Sequence, residues 1–317
     1  MIEEDTDSGT ASDETRAEHG AVSRRTLIGV GAGVVGLAVL TGAAGLAVEN
    51  RLLPGRSLMH KVLGLNGPAG TVPNIPPGTM VSGSFTSKAR LGADCGWAIS
   101  YPPGSSPGEK LPVLIALHGY SDDHSNAFGT NHLGLDRFLA QAVKGGSRPF
   151  AIASVDGGNT YWHRRASGED AGAMVAEEFV PLLAGHGLDI TRFALYGWSM
   201  GGYGALHLAS QLGPERVSSV AAVSPALWHT AGEAAHIAFD GAADFGANTP
   251  FGHESALAGI PIRIDCGTGD GFYPAVRDYV SGLAPHPAGG FTPGGHDAAY
   301  WRRLAPADLA FTAAHFS

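Results

Sequence analysis

Ser199 stands in the run Gly197-Trp198-Ser199-Met200-Gly201-Gly202. A serine hydroxyl can attack an acyl carbonyl when a strand delivers it, a sharp turn lifts it and a helix follows. Phe193-Ala194-Leu195-Tyr196 reads as that strand, and the Ala/Leu-rich stretch ending near Gly213-Pro214 reads as that helix. Small residues suit the turn because its backbone is strained and the helix must pack close behind the serine. The pattern alone is weak in a chain with 47 glycines. Gly104-Ser105-Ser106-Pro107-Gly108 matches it too, but no helix follows and it reads as a turn. A Gly-rich turn is the plain alternative at 197–201, so partner residues must decide.

A serine nucleophile needs an acid and a histidine, here expected later in the chain. Asp270 follows the apolar run Ile262–Cys266 within Gly267-Thr268-Gly269-Asp270-Gly271, where glycines let a loop fold back. A carboxylate there can fix the tautomer of an imidazole. An Asx turn is the bland alternative, and Asp265, inside the strand, is the competing acid. His296 follows Gly294-Gly295 and precedes the last helical pattern, which suits a general base hanging over the serine. The chain has 14 histidines, so position decides, and His118, His163 and His186 all precede Ser199. The backbone N–H groups of Met200 and Tyr120 are the expected oxyanion donors, Tyr120 because it follows His118-Gly119 after the Val113–Leu117 strand. His118 itself reads as a packed core histidine. His118, Asp122, Asp123 and His124 fit no compact metal-ligand spacing, so no metal is expected. Trp162, Trp198, Trp228 and Phe272 fall on expected loops or helix starts and are candidates to line an apolar substrate pocket; some aromatics of this rim, Trp301 above all, read equally as core.

These residues need a scaffold. The chain has 317 residues, 44% hydrophobic and 15% charged, enough for one large core plus a tail. Its net charge of −9, from 20 Lys+Arg against 29 Asp+Glu, argues against nucleic acid as a partner. Met80–Thr86 and Cys95–Tyr101 read as an antiparallel pair. Val113–Leu117, Ala151–Val155, Phe193–Tyr196, Val220–Ser224 and Ile262–Cys266 read as strands buried on both faces. Helical patterns over Asp170–Leu183, Tyr203–Leu212, Tyr273–Leu283 and Ala305–His315 fall between or after them, so the expected fold is α/β with a mostly parallel sheet. Residues 225–259 form a long connection of the kind that shapes a pocket. Residues 50–79, rich in Pro and Gly, read as a linker or a wrapping segment.

Ahead of them, Ser23-Arg24-Arg25 precedes an uncharged stretch from Leu27 to Val48. Twin arginines before a Gly/Ala-rich apolar run resemble a twin-arginine export signal; a membrane anchor is the alternative. Residues 1–49 are therefore assigned to export or anchoring, with the export machinery and a membrane as expected partners and an extracytoplasmic location for the domain at 80–317. Cys95 and Cys266 read equally as a disulfide or as two buried thiols.

Taken together, Leu117-His118-Gly119-Tyr120, Gly197–Gly202, Asp265–Asp270 and Gly294–Trp301 resemble the putative-esterase (esterase D-like) branch of the α/β hydrolases. That branch includes S-formylglutathione hydrolases, feruloyl esterases and secreted mycolyltransferases. The resemblance covers about residues 80–316 and implies carboxylic ester chemistry through an acyl-serine, without a cofactor. By that resemblance Ser199 is nucleophile, Asp270 acid and His296 base, with Met200 and Tyr120 giving oxyanion amides. An aspartate at 270 departs from the glutamate of several mycolyltransferases, which weakens a mycolyl-transfer assignment; the export signal weakens cytosolic S-formylglutathione hydrolysis. The expectation is an exported esterase or thioesterase acting on a small-molecule or lipid ester. An acyltransferase and an inactive surface binding protein are the alternatives.

Overall fold

Main-chain hydrogen bonds join eight strands into one sheet in the computed structural model, which describes residues 56–316. The strands are β1 (Met80–Ser87), β2 (Ala93–Ser100), β3 (Pro112–Leu117), β4 (Ala151–Val155), β5 (Asp189–Trp198), β6 (Val217–Val223), β7 (Ile262–Gly267) and β8 (Ala288–Thr292). Their order is β1-β2-β4-β3-β5-β6-β7-β8. β1 and β2 pair antiparallel, as does β2 with β4, and every later pairing is parallel. Hence β3 to β8 present their carboxyl ends along one edge, where ligands bind in open α/β sheets.

Both faces of the sheet are covered. Val113, Ile115, Leu117, Phe193 and Leu195 face one apolar core, whereas Leu114, Ala116, Ala194 and Tyr196 face the other. The first core packs beneath α4 (Met200–Leu212) and α6 (Tyr273–Gly282). It also meets α3, which runs through Ala171–Ala173, a π-helical Met174–Phe179 and Val180–Gly185. The second core packs beneath α2 (Leu135–Lys144), whose Leu135, Phe138 and Leu139 share a face at helical spacing, and α7 (Ala298–Ala314). The chain between β6 and β7 contains the short α5 (Ala242–Asn248). This architecture is that of the α/β hydrolases.

The structure corrects several expectations. β8 has no apolar run: its Ala288-Gly289-Gly290 start is tolerated because a Cβ on Gly289 would overlap the Ile264 carbonyl of β7. The closing helix begins at Ala298, not Ala305, because the Asp297 side chain accepts the Tyr300 N–H as an N-cap; Tyr300 and Leu304 then anchor it to the sheet and Pro306 is carried inside it. α1 (Arg56–Val62) leads into a strap whose Gly70 N–H donates to the Ala299 carbonyl at 2.7 Å. The Ile75 carbonyl of the strap accepts from Arg137 at 2.7 Å. The expectations for residues 1–49, including the export signal, lie outside the described residues. Among the described residues no helix is long and apolar enough to cross a membrane.

Cys95 and Cys266 are free and fully buried. They lie on β2 and β7, five strand spacings apart in the sheet order, or about 24 Å, far beyond bridging distance.

One buried polar cluster ties α7 to the sheet. Arg263 Nε lies 2.8 Å from Asp265 Oδ2 and 2.8 Å from Asp308 Oδ1, so two carboxyls share one guanidinium. Burial pushes both carboxyls above the ordinary carboxylate range, against the pull of Arg263. The folded state therefore keeps protons that the unfolded chain has already released, and the stability contribution of these groups falls as pH rises past the ordinary carboxylate value. Asp308→Asn, which keeps an acceptor for Arg263 and cannot ionise, is expected to fold and to flatten that fall. Thermal unfolding followed from about pH 5 to pH 8 checks it.

Candidate active site

Ser199 occupies the turn between β5 and α4 with φ 55° and ψ −120°, a left-handed conformation that a serine adopts only where the surroundings impose it. Three backbone bonds impose it here. The Ser199 N–H donates to the Val223 carbonyl at 3.0 Å, and the Ser199 carbonyl accepts from Ala226 at 3.0 Å and Tyr203 at 3.1 Å. The glycines permit the crossing: a Cβ on Gly197 would overlap the Gly201 carbonyl, and one on Gly201 would overlap the Leu117 carbonyl of β3. The run that marked this turn in the sequence therefore brings α4 directly over the end of β3.

His296 reaches Ser199 from the loop after β8. Its Nε2 lies 2.8 Å from Ser199 Oγ, and its Nδ1 lies 2.8 Å from Asp270 Oδ2. Asp270, in the loop after β7, is buried, and its other oxygen accepts the Phe272 N–H at 2.9 Å. An acceptor on Nδ1 leaves Nε2 free to take the hydroxyl proton. The loops of Asp270 and His296 are joined by the Gly269 N–H donating to the Gly294 carbonyl at 2.8 Å. The competing acid, Asp265, is turned away onto Arg263.

Met200 is the first residue of α4, so its N–H has no acceptor within the helix. Tyr120 follows Gly119 in the loop leaving β3, and that loop sits on the turn: a Cβ on Gly119 would approach Trp198 Nε1 at 2.9 Å. His118 is buried and neutral in its bonding. Its Nε2 accepts the Gly157 N–H at 2.9 Å and its Nδ1 donates to the Gly119 carbonyl at 2.7 Å. Burial lowers its pKa, which keeps that arrangement.

The four aromatic candidates divide. Trp228, half-buried, packs against Phe272 with ring centroids 5.3 Å apart, and Phe272 meets the His296 ring at 5.2 Å, so Phe272 borders the histidine and Trp228 packs on Phe272. Trp162 and Trp198 do not line an open pocket, because both are 1% exposed. Each ring N–H is instead used to hold the loop after β3. Trp198 Nε1 donates to Asp122 Oδ2 at 2.8 Å, and Trp162 Nε1 donates to the His118 carbonyl at 3.3 Å. Tyr161 and Trp162 both sit at φ 58°, a second strained turn on the same edge. Trp301, read as core, packs edge-on to His296 at 5.2 Å. The long connection after β6 brings Phe239 against Tyr161 and Trp228. It is fastened by Arg165, whose guanidinium holds the Asp240 carboxyl down to about 2.

Asp123, His124 and Asp156 bring potential metal ligands within 4.8 Å of one another. Their atoms are engaged in the fold: Asp156 accepts from the N–H groups of His124 and Gly96 and from His124 Nδ1, and Asp123 caps Ser125. Two supports escaped the sequence reading. The Asn66 side chain lies between the two catalytic loops, its Oδ1 2.5 Å from a Cβ placed on Gly269 and its Nδ2 2.8 Å from one on Gly295. His60 Nδ1 lies 2.9 Å from the same Gly269 position. Neither residue had a motif around it; only the structure reveals where the strap runs.

A family model described as Putative esterase matches residues 88–312. The chain belongs to that family. It is a carboxylic ester hydrolase of the serine type. This esterase is similar in fold to an S-formylglutathione hydrolase from Agrobacterium tumefaciens (TM-score 0.63, 19% identity, covering 77% of this chain and 98% of that one). It is also similar to a ferulic acid esterase from Anaeromyces mucronatus (TM-score 0.61, 18% identity, covering 76% and 93%). A third neighbour is the enterobactin esterase of Shigella flexneri (TM-score 0.55, 19% identity, covering 76% and 60%). Among curated proteins, none matches the chain.

Trp198→Phe keeps a buried ring in the esterase and removes the bond to Asp122. It is expected to lower kcat about tenfold with little change in KM, since misplacing a transition-state donor slows the chemical step. Steady-state hydrolysis of a p-nitrophenyl ester reads both parameters.

Proposed function

We propose that the protein is an exported esterase that works through an acyl-serine intermediate. The observation that carries the mechanism is His296 placed 2.8 Å from Ser199 Oγ and 2.8 Å from Asp270. In the first half, Ser199 Oγ attacks the ester carbonyl while its proton passes to His296 Nε2. Asp270 holds the ring through Nδ1–H and stabilises the imidazolium that forms. Charge gathers on the carbonyl oxygen, which the Met200 and Tyr120 N–H groups would receive. The C–O bond to the leaving alcohol then breaks, and that alcohol takes the proton from His296. In the second half a water gives its proton to His296, attacks the acyl-serine and releases the acid, and Ser199 recovers its proton. Phe272 beside His296, with Trp228 packed against it, suits an apolar or aromatic acyl group.

Ser199→Ala is expected to lower p-nitrophenyl ester turnover by at least about 10⁴-fold while leaving thermal unfolding unchanged. Wild-type protein should label stoichiometrically with a fluorophosphonate and the variant should not. Retained turnover in the variant removes the acyl-serine reading.

Export is supported by Arg24-Arg25 ahead of the uncharged stretch Leu27–Val48. Replacing both arginines by lysine is expected to hold the esterase activity in the cytoplasmic fraction of the producing cells. Unchanged fractionation counts against this route.

A further inference from the structure

We propose that α1 and the turn after it form a lipid-docking face that sets the catalytic edge against an anionic bilayer, so that the enzyme draws its ester from that bilayer. The substrate half of this proposal rests on the esterase reading; the docking half does not.

Large apolar side chains are exposed at eight described positions, and four of them fall between Leu58 and Leu65. Leu58 is 66% exposed, Val62 75%, Leu63 61% and Leu65 47%. Leu58 and Val62 are one helical turn apart, on the same outward face of α1. His60, between them in sequence, is buried and turns inward to Gly269. Such a cluster on a protein surface marks a contact with something apolar.

Charge selects the occupant. The chain as a whole is at −9, yet no Asp or Glu occurs in the sequence between Glu49 and Asp94, a stretch in which Arg51, Arg56 and Lys61 precede or interrupt the run of exposed apolar residues. Basic residues framing apolar ones are the composition of an interfacial segment that meets anionic lipid. The uncharged stretch Leu27–Val48 ends just ahead of them, with only residues 49–55 between it and α1. A single membrane signal anchors weakly, and a second one beside it makes the attachment stable.

Position links this face to the chemistry. His60 Nδ1 comes within 2.9 Å of a Cβ on Gly269, and Ser57 Oγ within 3.9 Å of one on Gly271, so α1 brackets the loop that carries Asp270. A bilayer touching Leu58 and Val62 would lie beside the catalytic edge, where a lipid ester has a short path to Ser199.

The test uses the full chain with Leu63→Cys, labelled with bimane. The native thiols are fully buried and stay unlabelled. Vesicles of phosphatidylglycerol and phosphatidylcholine carrying shallow doxyl-lipid quenchers should quench the label, and pure phosphatidylcholine should quench it less. In parallel, the Leu58→Asp, Val62→Asp, Leu63→Asp triple variant should lose at least tenfold in kcat/KM toward a vesicle-borne long-chain ester and keep its rate on soluble p-nitrophenyl acetate. Absent quenching overturns the proposal, as does an unchanged vesicle rate in the triple variant. Burial of the label without lipid also overturns it, whether by a second copy seen in sedimentation or by the chain's own residues 1–55. If the triple variant loses the soluble rate as well, the quenching result decides. A wild-type enzyme inactive on both esters defeats the esterase reading and leaves the quenching result standing.

Discussion

The contact between the start of α4 and the end of β3 governs the geometry of the catalytic edge. A Cβ on Gly201 would overlap the Leu117 carbonyl of β3 there, and one on Gly197, at the end of β5, would overlap Gly201 itself. Ser199 holds its left-handed conformation between these two approaches, with the first amide of α4 beside it. The contact also brings the loop after β3 onto the same turn. Ser199, the first amide of α4 and the loop after β3 thus meet at one close crossing, where the Ser199 N–H is bonded to the Val223 carbonyl of β6. Strain of this kind persists only where the neighbourhood over-determines it.

The supports around that crossing are built from aromatic and amide side chains whose polar atoms are used one bond at a time. Trp198 and Trp162 hold the loop after β3, and His118 fastens it to the chain beyond β4. On the opposite side, Asn66 and His60 fill the space between the loops of Asp270 and His296. Arg263 then binds the strand that leads to Asp270 to the helix that follows His296. Asp270 and His296 are therefore located from behind as well as by each other.

Much of this was legible in the chain. Ser199, Asp270 and His296 each follow a strand and each sit among glycines, and their order along the sequence agrees with one chemistry. The seven runs expected as strands all appear, the five parallel ones because strands buried on both faces leave apolar runs. β8 was silent: two glycines at its start remove the pattern, and what holds it is the approach to Ile264, a tertiary fact. Trp162 and Trp198 were read as pocket walls because residue type and loop position do not reveal which way a ring turns. Asn66 and His60 lie more than two hundred residues from the loops that they brace, and no local periodicity encodes such a partnership. The Arg263 cluster is hidden for the same reason: Asp308 falls inside the expected closing helix, but nothing local reveals that it meets Arg263 on β7.

The two thiols, sealed in strands on opposite parts of the sheet, have a bearing on how this protein matures. A domain that needs no covalent cross-link needs no oxidant to reach its final state. Its folding can finish under reducing or oxidising conditions alike, and the finished enzyme is indifferent to the redox potential around it.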